Sequence, residues 1–341
     1  MRLFLEKKCG GLALRVLPWA IAGGILVWLF RLYPIDQIAN AFKLANLFNF
    51  FAFALFYFAA VLAIDTFGVS ALLTRFGHPA TGRTVLPLRA ATYPLSLINY
   101  GAGQLSFAYY LRRRLQIPVG DVIGLFTLIT VMDLVWVVTL AFFGSFIGHH
   151  AILGVNITPT VRLVGIITYC LVAAHLLFWL MHWENRLQGR SWQHAFAWLQ
   201  RKRLFRIFHV ARLGDYCRLA LWRAPIHLLL VISIYVIIHA FHGTIPFLAA
   251  AGNVPIAILI GVIPISWGGI GTSNKALIDL LAPHVALLPT ATHPVSAPEL
   301  ILAVSLLWMF TNYLFKLLIG LLTLRHVQST TKKTKNTIFL N

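Results

Sequence analysis

The sequence predicts an all-α polytopic membrane protein with about six transmembrane helices, two re-entrant helical hairpins and a candidate inverted repeat. Of the 341 residues, 59% are apolar and only 11% are charged, whereas a soluble domain carries about 25% charged residues. Several uninterrupted apolar stretches are long enough to cross a bilayer, and others are apolar but interrupted by Pro and Gly. These observations exclude a soluble enzyme, a nucleic-acid-binding protein and a disordered chain.

The predicted spans each contain the roughly 17–25 apolar residues that a helix needs to cross about 30 Å of hydrocarbon. They are Leu14–Phe30, Leu44–Ile64, Val119–Phe143, Val161–Met181, Pro225–Phe241 and Leu300–Leu324. The basic start before Leu14 is also typical of a signal peptide, but no small-residue cleavage site follows the apolar run. We therefore interpret Leu14–Phe30 as a retained first span.

Two apolar stretches, Val85–Leu111 and Ile245–Leu281, contain Pro and Gly at a density that ends helices. Non-helical backbone at membrane depth is tolerated only where it is buried in protein or lines a wet cavity. We predict a re-entrant hairpin near 85–111 and another near 245–281, and the alternative is that each stretch forms one or two kinked spans.

The two broken stretches share a weak sequence similarity. Pro94-Leu-Ser96 precedes Gly101-Ala-Gly103, and Pro264-Ile-Ser266 precedes Gly269-Ile-Gly271. Transporters built from inverted repeats place their substrate sites at such paired interrupted segments. The similarity indicates either an inverted repeat or a coincidence of small residues.

Basic residues predict the orientation. The net charge is +19, and most Lys and Arg flank apolar runs, so the positive-inside rule explains them first. The rule places both termini in the cytoplasm, with one integral domain over 1–324 and a basic tail over 325–341, most plausibly in a bacterial inner membrane. An amphipathic helix near 190–213 is predicted at the membrane surface, either as an anchor or for lipid capture.

Several intramembrane polar residues are candidates for a substrate site. Asp133 lies in an otherwise apolar span, where a charge costs about 2.5–3.5 kcal/mol, so it is either a proton relay or counter-ion, or a hydrogen-bonded structural residue. Lys316 in the last span is a candidate partner for it. The remaining candidates lie in the two broken stretches: Asn99, Tyr100, Gln104, Arg112, Arg113, Ser266, Gly269, Gly271 and Asn274.

Each of these groups has an alternative role. Asn99, Tyr100 and Gln104 suit headgroup hydroxyls or freed backbone groups equally, and Arg112 and Arg113 suit phosphate or positive-inside anchoring. The glycines permit either a backbone anion site, with Thr272 or Ser273 capping the next helix, or close helix packing.

The run Pro264-Ile-Ser-Trp-Gly-Gly-Ile-Gly271, continuing as Thr272-Ser-Asn-Lys-Ala276, resembles the C-terminal signature of the lysylphosphatidylglycerol synthase transmembrane-region family, or flippase-like domain proteins. The segment Ser96-Leu-Ile-Asn99 to Leu111-Arg-Arg-Arg114, with Asp133 following, is similar to the first signature. Asn274 stands where the family often has an acidic residue. The resemblance implies a stand-alone membrane domain that moves or presents lipids, without a transferase domain.

The sequence therefore predicts binding and transbilayer movement of an anionic lipid or lipid-linked intermediate. Expected partners are a membrane phospholipid or polyprenyl-linked lipid and a separate transferase. The alternative is a membrane-embedded lipid transferase or a lipid-presenting subunit, although a transporter is favoured over an enzyme. No cofactor and no metal site are predicted, because the histidines and cysteines lack the spacing of ligand sets.

Overall fold

The computed structural model describes residues 19–180, 203–263, 266, 269–287 and 295–338. The elements in chain order are α1 Trp19–Leu32, α2 Ile35–Leu44, α3 Leu47–Arg75, α4 Gly82–Ala91, α5 Tyr93–Ile98, α6 Tyr100–Leu115, α7 Val119–Gly144, β1 Ala151–Ile152, β2 Val155–Asn156, α8 Thr158–Leu180, α9 Arg203–Val210, α10 Leu213–Ala240, β3 Gly243–Thr244, α11 Phe247–Val262, α12 Thr272–Leu281, a 3₁₀ turn Ala282–His284, β4 Ala286–Leu287 and α13 Ala297–Ile338.

Five described helices, α3, α7, α8, α10 and α13, are long and apolar enough to cross a membrane. The pair α1 and α2 raises the number to six if the two form one broken span. The strands form two small antiparallel pairs, β1 with β2 and β3 with β4. The structure therefore confirms an all-α polytopic membrane protein.

The first predicted span is bent. Residues 14–18 lie outside the described part of the chain, and α1 continues past Phe30 to Leu32. It then meets α2 at 83°, with Pro34 at the N-cap position of α2. Pro disfavours helical backbone at the preceding residue, so the chain turns at Tyr33-Pro34.

Three spans are longer than predicted. Helix α13 continues past Leu324 to Ile338, and two others extend through charged residues. Helix α3 continues past Ile64 to Arg75, and α10 begins at Leu213 with Pro225 inside it. The added turns contain charged residues, which ended the predicted spans. These charges pair with one another inside the protein, so the helices continue through them.

The chain forms two compact units. The first takes its described residues from Met1–Phe53, Val137–Ile167 and Leu229–Met309, and the second from Ala54–Trp136, Thr168–Leu228 and Phe310–Asn341. Each of the five long helices contributes to both units. In contrast, α4–α6 lie wholly in the second unit and α11–α12 wholly in the first. Whether these two segments form re-entrant hairpins remains a prediction.

Each unit has an apolar core. In the second unit, Phe107, Leu111 and Leu125 are fully buried, and the same core contains residues of α3, α4 and α9. In the first unit, Ile256 and Ala257 of α11 pack in a smaller core. The core of the second unit surrounds the polar groups described next.

The amphipathic helix is observed in part. Of the predicted range 190–213, residues 190–202 lie outside the described chain, and α9 follows over Arg203–Val210. Ile207 and Ala211 are buried in the core of the second unit, and Arg206 is exposed. The apolar stripe of α9 therefore packs against protein, and its placement at the membrane surface remains a prediction.

Candidate functional site

Four charged side chains from four helices form an ion network in the second unit. Arg223 of α10 donates from Nε and Nη2 to the two carboxylate oxygens of Asp133 of α7, at 2.6 and 2.8 Å. Its Nη1 donates to Asp65 Oδ1 of α3 at 2.8 Å. Arg89 of α4 completes the network by donating from Nε to Asp65 Oδ2 at 2.7 Å. Arg223 therefore links both carboxylates.

The network is mostly buried. The exposed fraction of the side chain is 8% for Asp65, 10% for Arg89 and 12% for Arg223, but 25% for Asp133. Every carboxylate oxygen in the network accepts a hydrogen bond from an arginine, which offsets part of the cost of burying charge. Asp133 is thus the most accessible member of an otherwise enclosed set.

A histidine adjoins the accessible carboxylate. His227, one turn after Arg223 on α10, places Nε2 3.0 Å from Asp133 Oδ1. Trp136 stacks on the imidazole with ring centroids 6.4 Å apart, and its Nε1 donates to the carbonyl of Ala220 at 2.9 Å. The indole and the carboxylate together fix the orientation of His227.

At the end of the network formed by Arg89, two further polar residues are relevant, Gln104 and Lys316. Arg89 Nη1 donates to Gln104 Oε1 of α6 at 3.1 Å, which leaves the buried Nε2 of Gln104 without a hydrogen-bond partner. Lys316 of α13 lies within electrostatic range of Arg89 and Asp65. The structure pairs Asp133 with Arg223 and His227, instead of with Lys316 as the sequence suggested.

Aromatic rings enclose the guanidinium of Arg89. Its Cζ lies 6.0 Å from the ring centroid of Tyr93, 5.4 Å from that of Phe107 and 5.2 Å from that of Phe126. Cations are attracted to such ring faces, more strongly where water is excluded. These rings hold Arg89 in place while its Nε donates to Asp65 and its Nη1 donates to Gln104.

The remaining candidates of the first broken stretch lie away from this pairing. Asn99 is the N-cap of α6, and its Oδ1 accepts from the backbone N–H of Ala102 at 3.0 Å. Tyr100 is the first residue of α6. Arg112 and Arg113 are exposed in the last turn of α6, and Arg113 lies over the ring of Tyr109.

The candidates of the second broken stretch lie in the first unit and form their own hydrogen bonds. Gly271 is the N-cap of α12 with φ +84°, a backbone conformation that favours glycine. Its N–H donates to Asn274 Oδ1 at 2.9 Å, and Asn274 Nδ2 donates to Ser305 at 2.7 Å. Asn274 thus supplies the capping interaction that the sequence expected from Thr272 or Ser273.

Neighbouring groups complete this turn. Ser266 Oγ and Thr272 Oγ1 are 2.9 Å apart, and Gly269 donates from its N–H to the carbonyl of Ser266 at 3.3 Å. The hydroxyls of Thr272 and Ser273 both donate to the carbonyl of Gly269. The N–H groups of Gly269 and Gly271 are therefore both engaged within the turn, and lipid binding there remains a prediction.

Comparison with known proteins places the chain in a family. The family described as lysylphosphatidylglycerol synthase TM region matches residues 15–320. The chain belongs to this family. No curated protein and no solved structure matches it. Membership of the lysylphosphatidylglycerol synthase TM family points to a membrane lipid-related function.

For this member of the lysylphosphatidylglycerol synthase TM family, sequence reasoning found Asp133 and Gln104 but missed their partners. Asp65 and Arg223 lie just outside the predicted spans Leu44–Ile64 and Pro225–Phe241, and Arg89 lies in the first broken stretch without having been singled out as a candidate. The spacing of Arg223 and His227, which places both on one helical face, was an available signal. Within the described residues, no three His, Cys, Asp or Glu side chains lie together as metal ligands.

Proposed function

We propose that this protein binds a lipid by its headgroup and moves it between the two leaflets of a bacterial inner membrane. The observation that carries the proposal is the ion network of Asp65, Arg89, Asp133 and Arg223. Family membership supports a lipid-related role in general, and the network supplies the chemistry of the finer proposal.

The network is costly as a purely structural device. Each charged residue at membrane depth costs about 2.5–3.5 kcal/mol on insertion scales, and apolar replacements of buried ion pairs are often equally or more stable. The chain has only nine acidic residues, and Asp65 and Asp133 are both used here. Ionisable residues inside a span typically mark a substrate or ion pathway.

The contacts of Arg223 would allow the network a second arrangement when a headgroup binds. Arg223 binds Asp133 through two nitrogens and Asp65 through the third. An anionic headgroup that replaces Asp133 as the partner of Arg223 would leave the Asp65 bond in place and release the Asp133 carboxylate to His227. Transport needs such a change, because a ligand shifts a conformational equilibrium only through different affinities for the two states.

A second candidate function is favoured by one observation. His227 is oriented by Asp133 at 3.0 Å, and a histidine held by a carboxylate is a common general base. This pair supports the alternative of a membrane-embedded lipid transferase, or of a subunit that presents lipid to a separate transferase.

Translocation of a fluorescent lipid in proteoliposomes tests the proposal. Asp133→Asn keeps the shape of the side chain but removes the charge that holds Arg223, so we expect it to fold and to slow translocation by about tenfold or more. Arg223→Gln should do the same. The matched control is Asp36→Asn, since Asp36 is exposed on α2 and should leave the rate unchanged.

Two results would decide against transport. Wild-type rates for both Asp133→Asn and Arg223→Gln would exclude the network from the pathway. A change in lipid mass after incubation, abolished by His227→Gln, would establish the transferase alternative. Asp133→Leu should lower the melting temperature, because removing one partner of a buried pair costs about 3–5 kcal/mol.

A further inference from the structure

We infer that the turn between α11 and α12 binds a monovalent metal cation, Na⁺, through neutral oxygen atoms. The turn belongs to the first unit, whereas the ion network belongs to the second. Binding of Na⁺ goes beyond the proposed function and does not depend on it. Only a role of Na⁺ as the driving ion for lipid movement rests on that function.

Three side-chain hydroxyls and one backbone carbonyl lie together in this turn. The carbonyl oxygen of Gly269 accepts from Thr272 Oγ1 at 3.1 Å and from Ser273 Oγ at 2.6 Å. Ser266 Oγ, in a residue that is 5% exposed, lies 2.9 Å from Thr272 Oγ1. A hydroxyl oxygen has two lone pairs besides the single proton that it donates. The cluster therefore offers more acceptor positions than its own hydrogen bonds use.

The C-terminal end of α11 adds backbone carbonyls beside this cluster. Helix α11 ends at Val262, and the last four carbonyls of an α-helix have no intrahelical donor and form the negative end of the helix dipole. The chain returns so close to this end that a Cβ on Gly269 would lie 2.8 Å from the carbonyl oxygen of Gly261. A cation beside Gly269 would therefore be stabilised by the dipole of α11.

The donors of the turn are already engaged, which favours a cation over an anion. Gly269 donates its N–H to the carbonyl of Ser266, and Gly271 donates its N–H to the side chain of Asn274. The ammonium of Lys275, one turn into α12, pairs with the carboxylate of Asp279 instead. An anion would find few donors here, whereas a cation would find several oxygens.

The chemistry of the ligands selects the ion. Ca²⁺ and Mg²⁺ are bound largely through carboxylates, and transition metals favour His and Cys, but residues 261–274 contain no Asp, Glu, His or Cys. A monovalent ion brings the least charge into a site that has no carboxylate to balance it. Backbone carbonyls at the ends of interrupted helices coordinate Na⁺ in transporters, and this turn adds hydroxyl oxygens to them.

Binding of radioactive Na⁺ to the purified full chain in detergent tests the site directly. Thr272→Val and Ser266→Ala each remove one oxygen, so each should weaken Na⁺ binding by about tenfold or more. Thr272→Ser keeps the hydroxyl and should keep most of the affinity. Thr323→Val is the matched control, because the Thr323 hydroxyl donates to the carbonyls of Ile319 and Gly320 within α13. It should leave Na⁺ binding unchanged.

The melting temperature separates ion binding from folding. An ion that binds only the folded state stabilises it by mass action, so NaCl should raise the melting temperature of the wild type above its value in choline chloride of equal ionic strength. Folded Thr272→Val should lose most of this rise, and Thr272→Ser should retain it. KCl should give a smaller rise than NaCl.

Several results would overturn the inference. The first is a folded wild type that binds no Na⁺. The second is wild-type Na⁺ affinity in folded Thr272→Val and Ser266→Ala, which would show that these hydroxyls only hold the turn together. If Thr272→Val does not fold, Ser266→Ala decides this point. Equal binding of K⁺ would overturn the assignment to Na⁺.

Na⁺ binding and lipid movement can fail separately. If the wild type binds Na⁺ but moves no lipid, the cation site stands and the proposed transport is wrong. If it moves lipid but binds no Na⁺, transport stands and this inference is wrong. In proteoliposomes, a rate of lipid movement that is the same with and without a Na⁺ gradient would remove Na⁺ as the driving ion and leave its binding site in place.

Discussion

His150 is a buried histidine just before the β1–β2 hairpin of the first unit. It is 1% exposed, its Nε2 has no hydrogen-bond partner, and its backbone N–H donates to Thr158 Oγ1 at 3.2 Å. Burial lowers the pKa of His150 below its ordinary value of 6.5, and the positive charges of His284, Arg162 and His149 lower it further. The folded protein therefore favours the neutral imidazole.

This histidine predicts a pH-dependent stability. Because the folded pKa lies below the unfolded value, the unfolded chain binds more protons as the pH falls below about 6.5, and the folded state loses stability there. We expect the melting temperature to fall between about pH 7 and pH 5, and His150→Gln to reduce that fall. His239→Gln, at an exposed histidine that does not act on the pKa of His150, is the control; an equal fall in wild type and His150→Gln would contradict the assignment.

At the residue scale, a charged residue could be recognised as a site candidate from the sequence only when it interrupts an apolar run. Asp133 stood out because its whole span is apolar, so any charge in it needs a partner. Arg223 and Asp65 did not stand out, because each sits where an apolar run meets polar residues and so resembles the end of a span. Only the tertiary fold shows that both helices continue and bring these groups together.

Helix α9 is held to the second unit by a shared carboxylate. Asp121 of α7, 3% exposed, accepts through Oδ2 from Arg206 Nη1 at 3.2 Å and lies 2.9 Å from His78 Nε2. The three residues line a small, open surface cleft, with Ile207 of α9 in its wall. One acidic group therefore links α7, α9 and the residues that follow α3.

Removing this charge should loosen α9. We expect Asp121→Asn to increase hydrogen–deuterium exchange over Arg203–Val210, because the neutral amide holds the Arg206 guanidinium less strongly than the carboxylate does. Asp36→Asn serves again as the exposed control. Unchanged exchange in α9 would mean that Ile207 and Ala211 hold the helix through apolar packing alone.

At the element scale, apolar length predicted the existence of the helices better than their ends. Helix α8 closely follows its predicted span, because polar residues bound the apolar run on both sides in the sequence. Helix α3 and helix α10 extend beyond theirs, since paired charges are tolerated inside a span. Only Pro34 could have indicated the bend between α1 and α2, and this residue lies after the predicted first span, Leu14–Phe30.

The arrangement of segments along the chain predicts sidedness in the membrane. Arg113 and Arg325 lie in basic runs that flank apolar stretches, whereas residues 144–160, which include Asn156, contain no Lys or Arg. With Cys9, Cys170 and Cys217 replaced by Ser, a single cysteine at Arg113 should label from the same side as one at Arg325. A cysteine at Asn156 should label from the other side.

The labelling experiment tests whether the first broken stretch crosses the membrane. Arg113, Arg325 and Asn156 are all exposed, so a membrane-impermeant thiol reagent reaches each of them in the folded protein. The sequence predicts that Arg113 and Arg325 face the cytoplasm. Labelling of Arg113 from the side of Asn156 would mean that the stretch containing α4, α5 and α6 crosses the membrane fully.

At the scale of the whole molecule, composition alone predicted that the protein lies in a membrane, and therefore predicted its fold class. It could not predict the two compact units, because each is assembled from parts of helices that are far apart in sequence. It also could not place the ion network, whose members are separated by as many as 158 positions. Ion pairs between residues far apart in sequence depend on how the helices pack. No local pattern in a single sequence reveals that packing.

The last helix has a consequence for whatever lies beyond the bilayer. Helix α13 is 42 residues long, or about 63 Å at roughly 1.5 Å per residue, and hydrocarbon is only about 30 Å thick. Even a tilt of about 40° cannot contain it. The apolar part of this helix ends at Arg325, so the turns from there to Ile338 add about 20 Å, and a partner that binds the last turn would lie at that distance from the apolar part.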